Sequence, residues 1–165
     1  MAGKTRHPRA CACSECGEEA PLLDFAYQLP DCIWAQPPKE RSRSNTDFAE
    51  MGARRFIRGL LPVKLEDGEE FRYGVWLEVD AATYKHARKV WNDEARYMGL
   101  RFNGTVANAA PPWGEKLLGV EVEVAPREAT GRPFVTATKV PWLNEVLRSG
   151  WTDDEYAALA EQLGY

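Results

Sequence analysis

The stretch RRFIRGLLPVKLEDGEEFRYGVWLEV, residues 54–79, decides the fold. In its first half Ile57, Leu61, Val63 and Leu65 share one parity with Gly59 among them, while Arg58 and Lys64 take the other. A period of two marks a strand with one face buried. The link EDGEE then supplies Asp67-Gly68, a dipeptide suited to the tight turn of a hairpin. Beyond it Phe71, Tyr73, Val75, Leu77 and Val79 alternate again. The stretch predicts a β-hairpin with one apolar face, which the rest of the chain must cover.

Downstream, Asp80 stands as an N-cap before AATYKHARKVWN, where Tyr84, Ala87, Val90 and Trp91 form a stripe opposite Lys85, Arg88 and Lys89. GLRFNGTVA sets Leu100, Phe102 and Val106 against Arg101, Asn103 and Thr105. LLGVEVEV sets Leu118, Val120, Val122 and Val124 against Glu121 and Glu123, and FVTATKV after the turn REATGRP reads as one more strand. Thr152 and Glu155 have capping-box spacing ahead of a helix lined by Tyr156, Leu159 and Leu163. Upstream, Pro21, Pro30, Pro37 and Pro38 and the polar run PPKERSRSN break every periodicity. The expected fold is α+β: a mostly antiparallel meandering sheet of about five strands with a central and a C-terminal helix packed on it. One domain spans 1–165, with a cysteine-containing hook at 1–20, a mobile loop at 35–52 and the α+β core at 54–165.

Length and charge agree with a single soluble domain: 165 residues, 44% hydrophobic and 28% charged, with a formal net charge of −4. A global positive field for nucleic acid is excluded. No run approaches the roughly 18 apolar residues of a membrane span, and MAGKTRHPRA has no apolar region behind its basic residues. A cytoplasmic location is therefore expected, and with it reduced thiols. Three of the four cysteines fall in RACACSECGEE, residues 9–19. Cys13, Cys16 and Gly17 form a C-x-x-C-G turn, half of a zinc site, and a closed site would draw on Cys11, Cys32 or His7. Free thiols are the other reading. A redox pair is disfavoured, because no helix start follows the motif.

CSECG, RFIRGLLPV, FRYGVWLEVD after a short acidic turn, and GRPFVTATKVPWLNEVLRSGWTDDE occur in an order that resembles the bacterial domain-of-unknown-function 2199 family. The resemblance spans roughly residues 13 to 163, and FIRG and YGVW are its most specific pieces. It implies no activity. Where members carry a further cysteine ahead of the FIRG strand this chain has NTDFAEMGAR, and where they carry His-Pro it has Val140-Pro141.

On the polar face of the hairpin, Arg58, Arg72 and Trp76 are the candidate binding residues: cations beside an aromatic ring suit a carboxylate, a phosphate or a peptide. Cross-strand pairing of the arginines with Glu78, Glu121 or Glu123 is the competing, purely structural use. Catalytic constellations are poorly supplied. The chain has two histidines, His7 and His86, and none of the nucleotide-loop, zinc-protease or nucleophile-elbow motifs. The leading expectation is a cytosolic binding or interaction protein with a structural zinc hook, taking a protein or a small anionic ligand. An immunity-type or regulatory inhibitor of a partner protein, and an enzyme with its site on the Arg58/Trp76 face, are the alternatives.

Overall fold

A computed structural model describes residues 10–12, 19–21, 24–37, 45 and 47–164. The first two strands, β1 (Ala10–Ala12) and β2 (Glu19–Pro21), pair antiparallel with Cys11 opposite Ala20. Cys13, Cys16, His7 and most of the expected hook lie outside the described residues. A larger sheet holds β3 (Asp24–Ala26), β4 (Phe48–Met51), β5 (Arg54–Lys64), β6 (Glu70–Val79), β7 (Phe102–Val106), β8 (Glu121–Ala125) and β9 (Phe134–Thr138). Helices α1 (Asp31–Trp34), α2 (Ala81–Val90), α3 (Glu94–Tyr97), α4 (Pro141–Ser149) and α5 (Asp153–Gln162) complete it.

The hairpin forms as its alternation requires. β5 and β6 pair antiparallel from Arg55↔Val79 to Lys64↔Glu70, and Gly68 takes φ +88° in the turn between them. Ile57, Leu61, Val63, Phe71, Tyr73, Val75 and Leu77 are all completely buried in the main core. Antiparallel pairing continues through β6–β7, β7–β8 and β8–β9. The sheet is not the expected open meander, however. β9 returns to lie parallel to β5 at Leu60↔Phe134, which closes five strands into a barrel. Closure removes two sheet edges and gives the apolar faces a shared interior.

Closure also makes both hairpin strands serve two partners on their outer edges. β5 pairs with β4 from Arg54 to Ile57 and then with β9 at Leu60. β6 pairs with β3 from Arg72 to Gly74 and then with β7 at Leu77 and Glu78. The two hand-overs face each other across the hairpin, where Arg58↔Trp76, Gly59↔Val75 and Leu60↔Gly74 are partners. Crowding there explains the glycines of FIRG and YGVW. A Cβ at Gly59 would sit 2.9 Å from Leu77 Cδ1, and one at Gly74 would sit 2.8 Å from Ala26 Cβ in β3.

The helices cover what the barrel leaves open. Asp80 caps α2 by accepting from the Thr83 amide, and Tyr84, Ala87 and Val90 turn inward as the stripe predicts. Thr152 and Glu155 form the expected capping box of α5. α4 follows β9 directly with Pro141 in its first turn, and packs on β5 and β9. Two expectations need correction. Phe48–Met51, assigned to a mobile loop, is the strand β4, because Phe48 and Ala49 are buried and the backbone pairs with β5. Leu118 is exposed, because a short 3₁₀ turn at Glu115–Leu117 buries Leu117 instead. No helix of the described residues is long and apolar enough to cross a membrane.

Gly74→Ala should lower stability by about 1–3 kcal/mol, the usual cost of overpacking, because Ala26 is fixed on the backbone of a paired strand. Gly99→Ala, with only the Arg96 carbonyl near at 3.5 Å, is the matched control in thermal melting followed by circular dichroism. A Gly74→Ala melt that overlays the control would show that β3 does not press on β6 as described.

Candidate functional site

Among the residues singled out on the hairpin, Arg58 and Trp76 come together and Arg72 does not. Arg58 and Trp76 are direct cross-strand partners, and the guanidinium carbon stands 5.6 Å from the indole centroid. They do lie off the main core face, but that face is covered. Trp76 is completely buried in a second small core with Ile33, Ala49, Phe56 and Ala107, and Arg58 beside it is 8% exposed. The segment around α1 forms the cover. Trp76 Nε1–H donates to the Tyr27 carbonyl at 2.9 Å, and α1 contributes Ile33. Arg72 sits four residues away along β6, about 13 Å at ~3.3 Å per residue. It pairs with Glu70 at 3.2 Å and lies over the Phe134 ring, which Arg127 also covers. Glu78 is taken by Arg54 through two bonds, which hold its carboxyl below the usual range.

The hand-over on β6 is sealed by an amide. Asn108, completely buried, accepts from the Trp76 amide through Oδ1 at 2.8 Å. Its Nδ2 donates to the Leu29 carbonyl and to Asp31 Oδ1, each at 2.9 Å. Asp31 Oδ2 in turn accepts from the Ala109 amide. These bonds satisfy backbone groups that neither β3 nor β7 can reach.

The hand-over on β5 is closed by two backbone carbonyls, with an ion pair beside them. The Arg58 amide donates to the Asp47 carbonyl at 2.8 Å, and the Leu60 amide donates to the Pro133 carbonyl at 2.9 Å. Consecutive outward amides of one strand thus bind the segments before β4 and before β9, which brings Asp47 and Arg132 together. Arg132 Nε–H donates to Asp47 Oδ1 at 3.1 Å. Asn45 presents Asp47 by accepting from the amides of Asp47 and Phe48, both at 2.8 Å. Tyr97 donates from its hydroxyl to the Gly131 carbonyl and pins the other side. Burial, and after it the Asp47 charge, pushes the Tyr97 phenol well above its usual range. Burial, and after it the Arg132 charge, pulls the Arg58 guanidinium below its ordinary value, with Asp47 opposing.

A cavity of about 440 Å³ opens at this fork, with Asp47, Arg132, Asn92, Glu94, Thr130 and Trp91 among its walls. The sequence does not announce it, because GRP reads as a turn and NTDF as loop, and only the sharing of β5 by β4 and β9 brings the two segments together. Of the candidate metal ligands, Cys11 lies on β1 and Cys32 on α1, and Cys13, Cys16 and His7 lie outside the described residues. Burial pushes the Cys32 thiol up, with Arg54 opposing. No group of three or more potential metal ligands occurs among the described residues.

Five of the six tryptophans are packed into or against a core. Trp76 and Trp151 are buried and Trp91, Trp113 and Trp142 are half-buried, while Trp34 is exposed.

The chain belongs to the family described as "uncharacterized protein conserved in bacteria" (DUF2199), whose model matches residues 12–145. The match includes the hairpin, both hand-overs and Arg132, and ends before α5. No curated protein and no solved structure matches the chain.

Arg58→Ala should cost about 1–3 kcal/mol, since it removes a buried stem packed on Trp76. Arg132→Ala should stay within about 1 kcal/mol, because its pair with Asp47 is roughly a third exposed on each side. Urea unfolding of both variants separates the two roles, and equal losses would make Arg132 as structural as Arg58.

Proposed function

On the premise of that membership, we propose that the protein is a non-enzymatic binding protein. It takes a small polar ligand with an anionic group in the cavity beside Asp47 and Arg132, and its N-terminal cysteines hold a structural Zn²⁺. The observation that carries the binding reading is the fork itself. Arg132, paired with Asp47, lines one open cavity whose volume is at the lower end of the roughly 300–1,000 Å³ of small-molecule sites, and the buried Arg58 adds positive charge close to Arg132. Arg132 engages Asp47 through Nε, and a guanidinium has five N–H donors in all, so its other nitrogens are suited to a carboxylate or phosphate oxygen. Trp91 and Leu60 add an apolar wall.

The zinc reading is supported by C-x-x-C-G and by the pairing of β1 with β2, which places a strand on each side of residues 13–18. Cys13 and Cys16 are the proposed ligands. Cys11 on β1 is close to them in sequence, and His7 is the other candidate to complete the shell. Cys32 suits the role less, because burial favours its neutral thiol and a ligand must be a thiolate.

Native mass spectrometry of protein purified without chelator should find one zinc per chain, lost in Cys13→Ser; metal-free wild type would remove the zinc from this reading. For the cavity, ligand-observed NMR with a mixture of polar metabolites should detect binding to wild type. Thr130→Trp, which fills the cavity from an exposed loop position, should abolish it. Absence of any binder, or equal binding to the filled variant, would overturn the cavity as the ligand site.

A further inference from the structure

We infer that the ligand of the fork cavity is a zwitterion of amino-acid size, its carboxylate held by Arg132 and its ammonium by Glu94. The inference rests on the reading of the cavity as the ligand site and narrows it to a chemical class. The cavity wall carries one arginine, Arg132, and two carboxylates, Asp47 and Glu94. Asp47 is engaged by Arg132 at 3.1 Å, whereas Glu94 makes no ion pair among the described residues. A simple anion entering here gains Arg132 and meets two carboxylates. A simple cation gains the carboxylates and meets Arg132, with Arg58 behind it. Only a ligand carrying both signs is attracted at both ends, and the like-charge contacts act against the others.

The placement of the two charged groups supports the same class. Arg132 is held by the segment before β9, next to the Asp47 turn, and Glu94 is the first residue of α3 after the Asp93 cap. They reach the cavity from different elements, so one small ligand can bridge them. Trp91 and Leu60 supply apolar surface, suited to a side chain between the charged ends, and Asn92 and Thr130 supply hydrogen-bonding groups. The volume of about 440 Å³ leaves room for a free amino acid or a dipeptide rather than a folded partner.

Isothermal titration with the proteinogenic L-amino acids, and with the N-acetyl and C-amide derivative of each binder, tests the inference on wild-type protein. At least one amino acid should bind, and each derivative, lacking one charge, should bind about ten-fold or more weakly. Glu94→Gln should erase the discrimination against the N-acetyl form, and Arg132→Gln that against the amide. Derivatives that bind as well as their parent overturn the inference, and they do so without reference to any variant. If no amino acid binds while another polar metabolite still occupies the cavity, the zwitterion is wrong and the ligand site stands. If the cavity takes nothing at all, both fail together.

Discussion

Each strand of the central hairpin must bond two different partners along one edge. That constraint organises the molecule. An antiparallel strand has a fixed spacing of outward amides and carbonyls, and whatever lies beside it must meet those groups in register. β5 meets β4 and then β9, and β6 meets β3 and then β7. Where one neighbour ends and the next begins, the strand presents groups that neither neighbour reaches, on a face that other elements bury. An unpaired buried amide costs on the order of a lost hydrogen bond, so each hand-over demands an acceptor from outside the two neighbouring strands: the Asn108 side chain on β6, and the Asp47 and Pro133 carbonyls on β5.

This demand accounts for Asn108 in the core. Among the described residues Asn108 and Arg58 are the buried polar or charged ones, and each stands at a hand-over. Asn108 ties the loop after β7 to Asp31, and so couples α1 and its cover to the barrel. Trp76, sandwiched between that cover and Arg58, is bonded at both its amide and its indole nitrogen. Gly59 and Gly74 allow the close approach at the hand-overs, since a side chain at Gly59 would press on Leu77 and one at Gly74 on Ala26 of β3. The second small core is thus a product of barrel closure and not an independent hydrophobic unit.

The hairpin was legible because its information is local. Alternation fixes which side of Ile57, Leu61, Tyr73 and Val75 is buried, and Asp67-Gly68 fixes the reversal, with no reference to any distant residue. The caps at Asp80 and Thr152 were legible for the same reason, since a cap and its target amide are three residues apart. The closure of β9 onto β5 was not. Nothing in FVTATKV states whether its free edge will meet solvent or a strand some seventy residues earlier in the chain, and a single parallel register pair carries the decision. The alternation also placed Arg58 and Trp76 correctly off the main core face, but a period of two cannot distinguish a face open to water from one roofed by α1. The candidate site was illegible for a compound reason: Asp47 and Arg132 meet only because both flank strands that share β5.

The two hand-overs are topologically alike but sealed differently, and the difference bears on function. On β6 the seal is a neutral amide with no solvent exposure, bonded on every side, so any ligand group would have to break a complete network to enter. On β5 two carbonyls close the hand-over, and beside them stands an ion pair whose members retain roughly a third of their exposure and whose surroundings include a cavity. A partly solvated ion pair contributes little to stability, and so yielding part of it to an incoming charge costs little. The neighbouring Arg58 is different: burial on Trp76 keeps that guanidinium in place, and its charge acts on the Asp47–Arg132 pair. One arginine held in place by burial and one partly solvated at the cavity wall is an arrangement suited to reversible binding, because the group at the wall can exchange its partner without disturbing the buried one.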